Sequence, residues 1–189
     1  MKAPFREIPG SIIAPQGFRA GGVFCDIKRL GTGKGSNKGN KRDLAIIVCD
    51  TPTTAAGMFT TNQVCAAPVK VCAELIRRGK AQAIVVNSGN ANACTGKQGL
   101  KDARAMCDLL ASKLKLARGS VLVGSTGRIG VPLPMQNVRR GINDAIGVLG
   151  SSPENAAQNS QKSVENRMSG CQPAASPALV RMRIQFSPR

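Results

Sequence analysis

The sequence predicts an α/β fold on three observations. Short β-branched segments recur along the chain, segments of helical period lie between them, and Pro or Gly marks where elements start and stop. At 189 residues the chain is long enough for one well-buried core, since a domain of about 150 residues hides roughly 70% of its unfolded surface.

The strand candidates, in order, are GVFCDI (22–27), LAIIVC (44–49), AGMFTT (56–61), AIVVN (83–87) and VLVG (121–124). The first helix is expected from Pro68, with Val71, Cys72, Leu75 and Ile76 on one face and Gly79 as its stop. The second spans about 98–117, where Leu100, Ala103, Cys107, Leu110 and Leu114 recur at helical spacing before Gly119. The third starts near Pro134, carries Val138, Ile142, Ala145 and Leu149 on one stripe, and stops at Gly150. Beyond residue 156 neither period persists, and the segment is rich in Ser, Asn, Gln, Arg and Pro. The expectation is a domain over 1–156 and a divergent, disordered tail over 157–189 that stays out of the core.

Composition removes several kinds of chemistry. The chain has no histidine, so imidazole cannot serve as base, phosphate acceptor or metal ligand. Aromatic residues make up 3%, with five Phe and no Trp or Tyr, so base-stacking platforms are scarce. The seven cysteines (25, 49, 65, 72, 94, 107, 171) form no Cys-x-x-Cys pair, which argues for reduced thiols rather than a disulfide framework or a metal site. No apolar run approaches the ~20 residues that span a bilayer, and the N-terminus lacks the apolar stretch of a secretory signal. A cytoplasmic location with no membrane association is expected.

The formal charge of +17 attracts polyanions through its long-range field. Its densest cluster, KRLGTGKGSNKGNKR (28–42), contains no aromatic residue and reads as a solvated mobile loop, not as a specific nucleic-acid surface. A non-catalytic basic binding protein is therefore a competing reading.

Two runs carry candidate chemistry. VGSTGRIG (123–130) places glycines at 124, 127 and 130 directly after a β-branched stretch. No lysine follows them, and Pro132 and Pro134 delay the next helix, so neither a Walker loop nor a dinucleotide fingerprint fits; a nucleotide-binding α/β domain is a weak alternative. The spacing allows tight backbone turns that leave N–H groups free. With the Thr126 hydroxyl, such donors can stabilise an oxyanion on a carbonyl. From composition alone, the commoner use of such a run is a plain strand-to-helix turn.

The second run, VNSGNANACTG (86–96), leads a strand into a loop holding Asn87, Asn90 and Asn92 with Ser88 and Thr95. Loops of this type are usually structural, and the density of amides also suits the wall of a polar pocket. Cys94 lies within the loop, but nothing beside it in sequence would activate its thiol, so it is rejected as a nucleophile.

The succession IAPQGFRAGGV (13–23), KRDLAIIVCD (41–50), AAGMFTTNQVCAAPV (55–69), AIVVNSGNANACTGKQGLKDA (83–103) and VGSTGRIGVPLPM (123–135) resembles the bifunctional ornithine acetyltransferase / N-acetylglutamate synthase family. The likeness covers about residues 10–157, the N-terminal half of a family member. It implies a layered sandwich of mixed sheets flanked by helices, the ArgJ/DmpA-like fold, incomplete without a second chain. It also implies a precursor that cuts itself before a threonine into an α chain of about this length and a β chain whose N-terminal Thr is the nucleophile, the αβ pairs assembling as a heterotetramer. That Thr takes acetyl from N-acetylornithine and passes it to glutamate; some members also use acetyl-CoA, and no metal or organic cofactor is required. A terminal amine as base accounts for the missing histidine. By the same resemblance, Thr126 and Gly127 form the oxyanion hole.

The chain departs from the family pattern after the third helix. The Thr-Thr-Asp-Thr segment, the Lys-Gly-Ser-Gly-Met segment and the Ala-Thr cleavage junction are missing from residues 157–189. The nucleophile is therefore expected to lie outside this chain, which alone should be inactive, and a reading-frame change or truncation near Ala157 would account for the tail.

Overall fold

A computed structural model describes residues 11–27 and 42–150. The expected basic loop (28–42) apart from Arg42, the tail (157–189) and the extreme N-terminus lie outside the described residues. A 3-10 turn, Ser11–Ile13, precedes β1 (Phe18–Val23) and β2 (Leu44–Thr54). Helix α1 (Ala67–Leu75), β3 (Lys80–Asn90), α2 (Gly96–Lys113), β4 (Val121–Arg128) and α3 (Met135–Gly147) follow. The strands form one mixed sheet in the order β1-β2-β3-β4. The first two pairings are antiparallel and β3–β4 is parallel, with α2 supplying the crossover that a parallel pair requires. This is the expected α/β architecture, a mixed sheet flanked by helices.

Strand alternation sorts the sheet into two faces. Along β3, Ala81, Ala83, Val85, Asn87 and Gly89 are buried, whereas Gln82, Ile84, Val86 and Ser88 are half-buried. The buried face supplies Leu44, Ile46, Val48, Val85, Val121 and Val123 to the main core. There they cluster with Val71 and Cys72 of α1, Ala103, Met106, Cys107 and Leu110 of α2, and Val138, Ile142 and Ala145 of α3. The opposite face carries a smaller cluster of Phe18, Ala20, Ile47 and Cys49, joined by Ile13. As expected from composition, neither core needs Trp or Tyr.

All three helices form near where the sequence puts them, although α2, expected over about 98–117, ends at Lys113, with Lys115 taking a φ of 55°. Pro68 sits in the first turn of α1, and Gly79 closes the following 3-10 turn with a φ of 66°, the left-handed geometry that favours glycine. Helix α3 begins after Pro134 but stops at Gly147, and Gly150 instead forms an antiparallel bridge with Ala20.

Two strand expectations need correction. The first strand is Phe18–Val23, not 22–27, because Asp26 takes a φ of 62° and residues 24–27 leave the sheet. Cys25 and Ile27 are buried anyway, since their N–H groups donate to the two carboxylate oxygens of Asp43 at 2.6 and 2.7 Å. Residues 56–61 form no strand: β2 ends at Thr54, the chain then leaves the sheet, and Met58 is 70% exposed.

Candidate functional site

The parallel β3–β4 pair brings the two notable runs together. Its register matches Val85 with Val123, Asn87 with Ser125, Ser88 with Thr126, Gly89 with Gly127 and Asn90 with Arg128. Both strands end on the same side of the sheet, where side chains and loops of an open α/β layer commonly form sites.

VGSTGRIG is not the tight turn expected from its glycines. Strand β4 continues through Arg128, and the turn comes only at Gly130, with a φ of 77°. Gly127 nevertheless requires glycine: its φ is 133°, and a Cβ there would collide with the backbone carbonyl of Gly89. Extended pairing with a glycine partner is thus what this position serves.

Strand β4 lies at the edge of the sheet, and its alternation tells which amides face outward. Val123 turns both its N–H and its C=O toward Cys72 of α1. The amide donates to Sγ at 3.3 Å, and the thiol donates to the carbonyl at 3.1 Å. Two and four residues on, the amides of Ser125 and Gly127 fall on the same edge by strand period. Thr126 and Gly127 are thus consecutive residues at the C-terminal end of the strand, the first half-buried and the second exposed.

The asparagine loop is resolved differently from a pocket wall. Asn87, Asn90 and Asn92 are fully buried, and each amide donates to a backbone carbonyl: Asn87 to Asn90 at 3.0 Å, Asn90 to Pro132 at 2.9 Å and Asn92 to Gly99 at 2.9 Å. The Thr95 hydroxyl donates to Asn92 Oδ1 at 2.7 Å. Asn92 and Cys94 hold positive φ values of 49° and 56°, a conformation that Asn tolerates. Backbone bonds from Ala91 to Arg128 and from Gly130 to Ala93 tie this loop to the end of β4. Through their Nδ2 groups these amides brace the backbone around Thr126 and Gly127.

The thiols fall into two groups. Burial raises the Cys25 and Cys107 thiols well above their ordinary range and pushes Cys72 up to about 11, against the opposing bond from the Val123 amide. Cys94 is exposed and Cys65 partly so.

Sequence reasoning overlooked Cys72 as the partner of Val123, Asp43 as the organiser of residues 24–27, and Ser125 as the neighbour of Asn87. Only Ser125 carried a signal, a hydroxyl within the quoted run.

The model of the ArgJ family matches residues 21–165. The chain is 49% identical over 138 residues to the arginine biosynthesis bifunctional protein ArgJ of Caldanaerobacter subterraneus subsp. tengcongensis, covering 73% of this chain and 32% of that protein. It is 46% identical over 156 residues to the ArgJ of Bacillus cereus, covering 82% and 35%. The chain thus spans about a third of the length of these curated relatives. Among solved structures, the ArgJ of Bacillus halodurans superposes with a TM-score of 0.71 at 38% identity, over 82% of this chain and 75% of that one. The ornithine acetyltransferase of Mycobacterium tuberculosis, solved in complex with ornithine, gives 0.72 at 33% identity, over 82% and 78%.

Proposed function

The chain belongs to the ArgJ family, and from that premise we propose that it is the α-chain part of a glutamate N-acetyltransferase of arginine biosynthesis, supplying the oxyanion hole through Thr126 and Gly127. The single observation that carries this reading is the outward-facing end of β4. There an exposed Gly127 follows a half-buried Thr126 on a strand held in register by Gly89.

In this reading the nucleophile is the N-terminal Thr of a β chain, its own amine acting as base. The Thr oxygen attacks the acetyl carbonyl of N-acetylornithine, and the carbonyl electrons move onto oxygen. The Thr126 hydroxyl and the Gly127 N–H hydrogen-bond that oxyanion, an effect worth about 3–4 kcal/mol for a well-placed donor. Collapse expels ornithine, which leaves with the proton taken from the nucleophile, and an acetyl-enzyme remains. The amine of glutamate then attacks the acetyl group through the same hole, giving N-acetylglutamate and the free Thr. The ornithine bound to the Mycobacterium tuberculosis relative supports an ornithine-type ligand.

The test is reconstitution. Alone, the chain should transfer no acetyl group from N-acetylornithine to glutamate. Co-expressed with a β chain bearing an N-terminal Thr, it should co-purify and restore transfer, and robust turnover by the chain alone would overturn the assignment of the nucleophile.

A further inference from the structure

Three register pairs lie in succession on the helix-covered face of the parallel β3–β4 ladder: Val85 with Val123, Asn87 with Ser125, and Gly89 with Gly127. The first pair is fully buried hydrocarbon. The last carries no side chains at all. Between them sit an amide and a hydroxyl whose Asn87 Oδ1 and Ser125 Oγ are both buried without a hydrogen-bond partner in the chain.

That combination is uncommon, because a buried polar atom normally finds a partner in protein or ordered water. The Asn87 amide is not free to rearrange: its Nδ2 donates to the Asn90 carbonyl at 3.0 Å, so Oδ1 remains an acceptor. Ser125 offers a hydroxyl that both donates and accepts. Neighbouring strands lie about 4.7–4.9 Å apart, and one small molecule between the two register-matched side chains can bridge them.

We propose that Asn87 and Ser125 together bind one internal water molecule, which donates to Asn87 Oδ1 and bonds to Ser125 Oγ. Water suits the site because its partner must donate to an amide oxygen and fit under a dry floor of valines. Two polar partners meet the minimum for a buried water. A metal cation is a poor occupant, since hard cations take six or more oxygen ligands and this pair provides two. A second polypeptide cannot be the partner, because both atoms are already sealed from the surface within this chain. The water would hold Ser125 in place one residue before Thr126, making Ser125 a positioning residue for the end of β4.

Two measurements on the full chain test this. A crystal structure of sufficient resolution to show solvent should place one peak about 2.7–3.2 Å from both atoms. No peak, a peak touching only one of them, a peak ringed by five or more oxygens, or Ser125 Oγ bonded directly to Asn87 Oδ1 would each overturn it. In solution, water-to-protein cross-relaxation should appear at the Asn87 side-chain amide and be lost in Ser125→Ala. Native-state hydrogen exchange at the β4 amides near residue 125 should rise on the order of tenfold in that variant. An unchanged water signal in Ser125→Ala refutes the proposal, whatever the acetyl-transfer assays give.

Discussion

The Cys72 thiol stands in for a neighbouring strand: its Sγ receives the Val123 N–H and donates to the Val123 carbonyl, closing the middle of an edge that would otherwise leave both groups buried and unpaired. Cys72→Ala should therefore destabilise the chain by about 2–4 kcal/mol, combining two orphaned backbone groups with a small cavity. Urea denaturation checks this as a lower midpoint at constant slope. Cys72→Ser, whose hydroxyl can still donate and accept, should recover part of the loss.

Two glycines at the end of β4 separate strain from collision. Gly130 has a φ of 77° with nothing within 4 Å of a would-be Cβ, so Gly130→Ala should cost about 1–2 kcal/mol. Gly127 adds a clash with the Gly89 backbone to its own φ of 133°, and Gly127→Ala should cost more than about 3 kcal/mol or abolish folding. Thermal melts of the two variants give the comparison, and equal losses would contradict it.

Thr126→Ala should leave stability within about 1 kcal/mol of the parent, because the side chain is half-buried and outside the main core. In the enzyme reconstituted with a β chain, the same change should cut kcat by about 10²-fold or more with a much smaller change in KM. Steady-state kinetics distinguishes this from a substrate-binding role, in which KM would move most.

Asp43 gives the chain a pH dependence of defined sign. Burial raises its carboxyl above the ordinary value of 3.8, and the N–H bonds from Cys25 and Ile27 oppose that rise without cancelling it. A carboxyl raised in the folded state binds more protons there than in the unfolded chain. Its contribution is therefore fully present below the unfolded value and declines as pH climbs through the folded one. Urea midpoints from pH 4 upward should fall in the parent relative to Asp43→Asn, which has no proton to release; a parent that instead gains on the variant over that window would exclude this sign.

Thiol accessibility orders the cysteines. Among the described cysteines, brief alkylation at pH 8 should label Cys94 first and Cys65 next, while Cys25, Cys72 and Cys107 react only after unfolding, being buried with raised thiols. Peptide mapping by mass spectrometry reads the result, and early labelling of Cys72 would show that its bond to Val123 is open in solution.

The helices were legible because each announces itself locally: Pro68 and Gly79 bracket α1 and its 3-10 extension, and the stripe from Val138 through Ala145 marks α3. Strand β1 was read four residues late because its own segment, FRAGGV, has weak strand chemistry. Gly21 is there because the Ala145 carbonyl of α3 occupies the place of a Cβ, a tertiary demand no local pattern announces. The Asn-rich run was recognisable as special, but the direction of its amides depends on Pro132 and Gly99, residues supplied by other parts of the chain. Likewise Gly127 looked like a turn residue, when its role comes from lying beside Gly89 across a parallel pair.

The Ala20–Gly150 bridge also sets a tether length. Ala20, Ile47, Ile84 and Leu122 form one row across the sheet, so Gly150 lies one strand position outside β1, at the edge opposite β4. From there to Leu122 is four strand spacings, about 19 Å, and Thr126 is about 13 Å farther along its strand. The straight-line path is about 23 Å, so a continuous chain needs about seven extended residues after Gly150 before any side chain can meet the Thr126 hydroxyl. A group delivered by a separate polypeptide is under no such limit.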